Sequence, residues 1–380
     1  MVERIRSLSS LKHIDAAVWN AVANPPGQTF NPFLSHAFLS SLEDSGSATA
    51  RTGWAASHLV LEDDDQLLGL VPCYLKTNSM GEYVFDHAWA DAFTRAGGNY
   101  YPKLQVSIPF TPATGPRLLA ADEHKLKLLK GLEAAAAQLG ASSAHITFMP
   151  ETDWTAAPDT WLKRQDIQFH WHNQNFETFA DFLASLSSSK RKNIRKEREA
   201  VAARGITFDL LTGTDLTENH WDHFYAFYMD TGARKWGRPY LTREFFSMVN
   251  ERMAEHTLLV LAKREGKIIA GALNFIGGDT LYGRNWGATE DHPFLHFETC
   301  YYQAIDFAIA RGLKIVEAGA QGEHKLARGY LPVKTHSLHH FAHKGLARAV
   351  AEYLEHERAS IDQDQKLLAE HSPFKNVERE

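Results

Sequence analysis

The chain has 380 residues, 44% of them hydrophobic and 23% charged, with a formal net charge of −6 and two cysteines. That length allows two domains of ordinary size, and the composition is that of a globular chain, not a disordered one. The negative balance excludes a global attraction to nucleic acid and leaves only a local patch for such contact; Cys73 and Cys300, far apart and both in apolar runs, exclude a disulfide scaffold and read as small buried hydrophobes in a reducing compartment.

The opening stretch MVERIRSLSSLKHID has no apolar run of the kind a signal peptide carries. Nothing later approaches the roughly 18 apolar residues that span a membrane, so the expected location is cytoplasmic. Leu59–Glu62 and Leu67–Leu75 read as a hairpin around the turn Asp63-Asp64-Asp65, and Gln105–Phe110 as a third strand. The loop TPATGPRLL leads into a helix over about Glu123–Leu139, stopped by Gly140. His145–Met149, ended by Pro150, closes this unit.

The segment LSSSKRKNIRKEREAVAARG follows. Ser187–Ser189 can cap a helix over Lys190–Arg204, and Gly205 can end it. Lys190, Arg191, Lys192, Arg195, Lys196, Arg198 and Arg204 stand there against Glu197 and Glu199, with one thin apolar stripe at Ile194 and Val201. Two readings stand side by side: a solvated helix face, and an anion-contacting helix suited to tRNA phosphates.

From Leu258 the first plan recurs. Two apolar runs meet across a turn at Lys263–Lys267, and Thr280–Ala288 follows the turn Gly277-Gly278-Asp279. An amphipathic helix spans Leu295–Arg311 to Gly312, and Lys314–Ala318 is the last strand. Hairpin, strand, helix, strand therefore occurs twice. The expected fold is α/β, with mixed sheets in tandem duplicated domains over 1–165 and 166–345. A charged helix, Leu346–Glu370, lies in an extension over 346–380 and reads as a surface or homo-oligomer-contacting element.

The duplicated unit, the segment SSSKRKNIRKEREAV and the motif GRNWG…LHFETCYYQAI together resemble the Fem-like branch of the GNAT acyltransferases. Its bacterial members are labelled peptidoglycan biosynthesis or recognition proteins. The loops PFTPATGPRLL and EHKLARGYLPVKTHS match the same group, and the likeness covers roughly residues 15–345. The resemblance implies two GNAT-like domains and transfer of an acyl or aminoacyl group to an amine, from acyl-CoA or from aminoacyl-tRNA. The chain departs from the pattern twice. Its loop Gly287–Phe294 lacks the Gln/Arg and Gly-x-Gly/Ala of an acyl-CoA pyrophosphate loop, and Glu290 and Asp291 there would repel a pyrophosphate. The long helical hairpin arm of the peptidoglycan-bridge enzymes is not evident either. The first half's loop Thr111–Arg117 suits a CoA pyrophosphate better, with Gly115 exposing backbone and Arg117 supplying charge.

Acyl transfer to an amine needs a base for the amine's proton, donors for the developing oxyanion and a proton for the leaving group. Glu298 is the candidate base. It falls inside the arc of Phe297, Cys300, Tyr301, Ala304 and Ile305, where a carboxylate is costly unless paired or raised in pKa. The competing reading is a structural ion pair with Arg284 or Arg328. Arg284 and Trp286 alternate on one strand face, opposite Asn285, placed either to hold an anionic or stacked ligand or to pack on each other. Glu323, His324, Lys325, Arg328 and Lys334 crowd the loop after the last strand, where α/β folds place ligand groups. His324 is the second catalytic candidate, an acid or base near neutral pH, and the others are candidate substrate contacts. His336, His339, His340 and His343 suit an edge strand better than a metal site, since no Cys or carboxylate completes one. Three functions compete: an N-acyltransferase on a small amine or amino-acid-like group, a binding protein that keeps the cleft without catalysis, and an aminoacyl-tRNA-dependent transferase.

Overall fold

A computed structural model of the chain describes residues 3–375 apart from 65, 236–238 and 320–321; the side chains of 233–235 and 323 also lie outside the description. The chain divides into two compact units, Met1–Ile167 with Lys334–Gln363, and Gln168–Val333 with Asp364–Glu380. The stretch expected as a separate extension at 346–380 begins inside the first unit. Leu346, Val350 and Leu354 of the helix Lys344–Glu370 recur every four residues and are buried with Trp89, Tyr100 and Phe341. No described helix is long and apolar enough to cross a membrane.

In the first unit the expected strand Leu67–Leu75 is divided at Pro72, which has no N–H to give a ladder. Gln66–Val71 pairs with His58–Asp63 in a four-stranded sheet, whereas Cys73–Lys76 pairs with Trp54–Ala56 and Lys103–Val106. Lys103–Val106 runs parallel to Ser143–Met149, with the helix Asp122–Gln138 between them in sequence. One sheet face is apolar: Leu104, Val106, Ala144, Ile146 and Leu338 meet Leu128 and Leu132 of that helix. The other face is polar yet buried, with Lys103, Gln105, His145 and His339. The strand carrying the four-histidine segment, Leu331–Phe341, is not an exposed edge, because His336 and His339 are buried and His339 faces His145 across the ladder.

The second unit repeats this connectivity. Lys267–Ile276 is antiparallel to Thr280–Ala288, which runs parallel to Ile315–Glu317. Thr257–Arg264 and Ile206–Leu211 extend the sheet beyond Lys267–Ile276. The parallel contact has the same short length in both units: 104–106 on 144–146, and 280–282 on 315–317. Beyond it the strands part, at Ser107 in one unit and Gly283 in the other. The helix expected as continuous over Leu295–Arg311 contains a π turn. It runs as Leu295–Phe297, then Glu298–Tyr302 in π geometry, then Gln303–Ala310.

Candidate functional site

Where Thr280–Ala288 parts from Ile315–Glu317, a cavity of about 120 Å³ opens. Gly283 and Ala318 line the parting, Arg284, Asn285 and Trp286 form one wall, and His296, Cys300 and Tyr301 form the other. Gly283 keeps the parting open: a Cβ there would stand 3.3 Å from both Asn274 Oδ1 and the Glu317 carbonyl. A β-bulge shapes the strand wall. Leu273 faces Asn285 and Asn274 faces Gly283, so the register passes over Arg284. A bulge breaks the two-residue alternation. Arg284, Asn285 and Trp286 therefore all reach the cavity, where strict alternation had set Asn285 on the opposite face.

The helix wall has a similar origin. A π turn inserts a residue and rotates everything after it relative to a straight helix, by about 100°. Tyr301 is 3% exposed, and its phenol lies 2.9 Å from His324 Nε2. Burial pushes the Tyr301 hydroxyl well above its ordinary range, so it stays protonated near neutral pH. Phe297 stacks on Tyr301 with centroids 6.1 Å apart and planes 18° apart, and His296 meets Tyr301 edge-on at 5.3 Å. Gly322, at φ +119°, makes room for the imidazole, since a Cβ would come within 2.5 Å of His324 Cε1.

The other residues of the post-strand loop separate. Lys325 is buried, donates to the Gly319 carbonyl at 3.0 Å, and is pulled down by burial to about 8. Arg328 donates to the His324 carbonyl at 2.8 Å and lies 3.4 Å over the Phe297 ring. Lys334 does not join them: it pairs with Asp362 at 2.6 Å inside the first unit. The Glu323 side chain lies outside the described residues.

Glu298 is 3% exposed but does not line the cavity. It accepts from Arg198 Nη2 at 2.9 Å and from Gln303 Nε2 at 2.7 Å, and Arg198 also reaches Asp306 at 2.7 Å. Burial raises the Glu298 carboxyl, and the neighbouring guanidinium opposes that rise without cancelling it. Glu298 thus has an ion-pair partner, but it is Arg198 of the basic helix, not Arg284 or Arg328. The apolar stripe explains why. Ile194 and Val201 are buried, Val201 against Ile206, Ala262 and Leu295, which turns the face between them inward. Glu197 and Arg198 lie on that inward side of the helix Ser188–Ala202, and both are half-buried. Lys192, Arg195, Lys196 and Arg204 are exposed.

In the first unit the parting of the strands is filled by the loop that was expected to hold a pyrophosphate. Arg117 is 1% exposed and donates to the carbonyls of Ala113, Gly115, Pro116 and Thr147. The Gly115 amide donates to the Phe148 carbonyl at 3.0 Å. Thr147 and Phe148 come just after the last parallel pair, Val106 with Ile146. Gly115 and Arg117 thus seal the loop onto the strand. Their donors face carbonyls, which corrects the cofactor-binding role expected for them.

Sequence reasoning missed His296, Cys300 and Tyr301 as cavity residues, and Glu197 as a partner. Cys300, read as a buried hydrophobe, is half-buried at the cavity wall. The available signal was Glu298 itself, a carboxylate on an apolar arc that required a cation from elsewhere in the chain.

The FemAB-like family model, described as peptidoglycan biosynthesis/recognition, matches residues 10–376, and the chain belongs to that family. No curated relative matches it. Among solved structures, FemX is 12% identical with a TM-score of 0.56, over 92% of this chain and 100% of that one. A conserved protein of unknown function from Bacteroides thetaiotaomicron is 12% identical, with a TM-score of 0.52 over 88% of this chain and 99% of that one. L-PGS from Bacillus licheniformis is 12% identical, with a TM-score of 0.50 over 83% and 93%. At such identities the likeness speaks to the fold, which is that of tandem duplicated GNAT-like domains with mixed sheets.

Proposed function

We propose that the chain is an N-acyltransferase that moves an acyl or aminoacyl group onto an amine at the cavity of the second unit. One observation carries this reading: a buried, protonated phenol, Tyr301, bonded to His324 at the wall of a cavity that a strand bulge and a π turn open. In the reaction the amine nitrogen attacks the acyl carbon, and the bond from that carbon to the donor's oxygen or sulfur breaks. One proton leaves the amine and one reaches the departing atom. Tyr301 suits the second task, and His324 suits taking the amine's proton and restoring that of the phenol. Arg284 supplies positive charge for the developing oxyanion or for an anionic substrate group, and Trp286 a stacking face. Glu298, clamped by Arg198, supports the site from behind.

The family description favours an acceptor amine on a cell-wall precursor, and the exposed basic residues of the helix Ser188–Ala202 favour an aminoacyl-tRNA donor. Exposed Lys192, Arg195 and Lys196 then meet RNA phosphates. Acyl-CoA is the alternative donor. It is disfavoured by Glu290, which stands in the strand-to-helix loop within hydrogen-bond reach of Arg264 and His292. The test offers labelled acetyl-CoA and a pool of charged tRNA with amine acceptors that include a cell-wall precursor peptide. Transfer by the wild type that falls roughly 100-fold in Tyr301→Phe supports the proposal. Undiminished transfer by Tyr301→Phe overturns the role of the phenol, and no transfer from either donor class overturns the activity.

A further inference from the structure

The Tyr301–His324 pair joins two irregular elements that also meet through ring contacts, Phe297 with His324 and Tyr301 with Tyr330. Tyr301 sits on the π turn Glu298–Tyr302, and His324 on a six-residue 3₁₀ turn, Glu323–Arg328. That 3₁₀ turn is bounded by Gly322 at φ +119° and Gly329 at φ +91°. A short 3₁₀ segment of about two turns between two positive-φ glycines has poor hydrogen-bond geometry and little rigidity of its own. Yet one carboxylate ties both elements together. Glu197 Oε1 accepts from Arg328 Nη2 at 2.7 Å and Glu197 Oε2 from Arg328 Nε at 3.2 Å. The same Oε2 accepts from the phenol of Tyr302, the immediate neighbour of Tyr301. Arg328 in turn donates to the carbonyl of His324 itself and lies on the face of Phe297, one residue before the π turn. Arg328 is 8% exposed, Tyr302 is fully buried and Glu197 is half-buried, so these bonds are partly shielded from water.

We infer that Glu197 and Arg328 are positioning residues: through them the basic helix Ser188–Ala202 sets the distance between the Tyr301 phenol and the His324 imidazole. Neither needs to touch substrate. A guanidinium held by a two-point carboxylate contact, a carbonyl and a ring face has a fixed orientation that a lysine ammonium cannot reproduce. The inference rests on the reading of Tyr301 and His324 as the proton-handling pair.

The experiment measures the coupling of Tyr301 to His324 directly and needs no substrate. The imidazole of His324 is titrated by nitrogen NMR and assigned by difference from His324→Gln, which the 20 histidines of the chain make necessary. In the wild-type background, Tyr301→Phe is expected to change the proton affinity of His324 about three- to tenfold, the worth of one hydrogen bond. In the Glu197→Gln background the same change is expected to be less than about twofold, because the pair is already out of register. Equal shifts in the two backgrounds overturn the inference. If Glu197→Gln does not fold, Arg328→Lys carries the same comparison, since it keeps the charge and removes the fork. In turnover, Glu197→Gln is expected to lower kcat about tenfold with KM unchanged, and a change confined to KM counts against positioning. A wild type that turns over no donor defeats the proposed function, while the titration still decides this inference.

Discussion

Arg198→Met separates the clamp from the base. In the native protein the Arg198 guanidinium serves Glu298 and Asp306, and their side chains are 27%, 4% and 34% exposed respectively. Removing one partner of a buried pair costs about 3–5 kcal/mol, because the other charge is left without compensation. Arg198 keeps some contact with water, so the lower end, about 3 kcal/mol, is expected at pH 7.5. The pH dependence has a definite sign. Burial already raises both carboxyls, and Arg198 is the charge that lowers them. Without it both rise further. A carboxyl whose folded pKa lies above its unfolded value destabilises the fold at higher pH, and the penalty fades as pH falls toward the unfolded value. The deficit of Arg198→Met is therefore expected to shrink to about 1 kcal/mol or less near pH 4.5, and Arg198→Met with Glu298→Gln is expected to recover much of it at pH 7.5. Urea unfolding followed by tryptophan fluorescence at the two pH values reads this directly. A deficit under about 1 kcal/mol at pH 7.5, or one of equal size at both, would refute the clamp and return Glu298 to the role of base.

Three other outcomes follow from the same geometry. His145 and His339 lie with their Nδ1 atoms 2.7 Å apart in the first unit, and burial holds both far below the ordinary histidine range, His145 to about 3. They are neutral when folded and protonate on unfolding, so stability is expected to fall below about pH 6.5 by roughly 1.4 kcal/mol per histidine per pH unit; His339→Gln should remove one such increment from the slope in urea titrations. Arg117→Met leaves four carbonyls without their donor and is expected to cost about 3 kcal/mol in thermal or urea melts, with donor turnover at the second unit unchanged. Replacing Lys192, Arg195 and Lys196 with Gln is expected to flatten the salt dependence of tRNA binding by about 0.7–0.9 for each phosphate that is no longer neutralised; a wild type with no salt-dependent binding at about 50 mM salt removes the tRNA reading and leaves acyl-CoA as the donor.

The elements were legible in the sequence because period and punctuation agree over most of their length. The helix expected over about Glu123–Leu139 runs over Asp122–Gln138, and the strand expected at Lys314–Ala318 over Ile315–Glu317. The thin stripe of Ile194 and Val201 correctly marked the buried side of the basic helix. The site was less legible, for a specific reason. Its two walls depend on single-residue insertions, the bulge at Arg284 and the π turn at Glu298–Tyr302. An insertion of one residue reassigns the face of every side chain near it, and periodicity reads through it without registering a change. Periodicity therefore sets Asn285 away from the site and Glu298 inside it. Glu298's partner lies 100 residues earlier in the chain, a separation no local pattern reports.

The two insertions also bear on why the strand parting is filled in the first unit and open in the second. The strand pairs part after the same three-residue contact in each unit, so the topology alone provides two openings. In the first, the strand ends early, Pro109 follows, and the backbone turns at Phe110 with φ 59° into the loop that Arg117 fastens down. In the second, the strand continues six residues past the parting, from Gly283 to Ala288, and carries Arg284 and Trp286 along one wall. A straight helix opposite would present the Glu298 carboxylate with Tyr301 on one face. The π turn keeps Tyr301 at the cavity and places Glu298 against Arg198, so a neutral donor faces the opening and a paired carboxylate stands behind it. That arrangement requires both irregularities at once. Departures from local regularity of this kind persist where a site requires them, and here they meet at the same 120 Å³ opening.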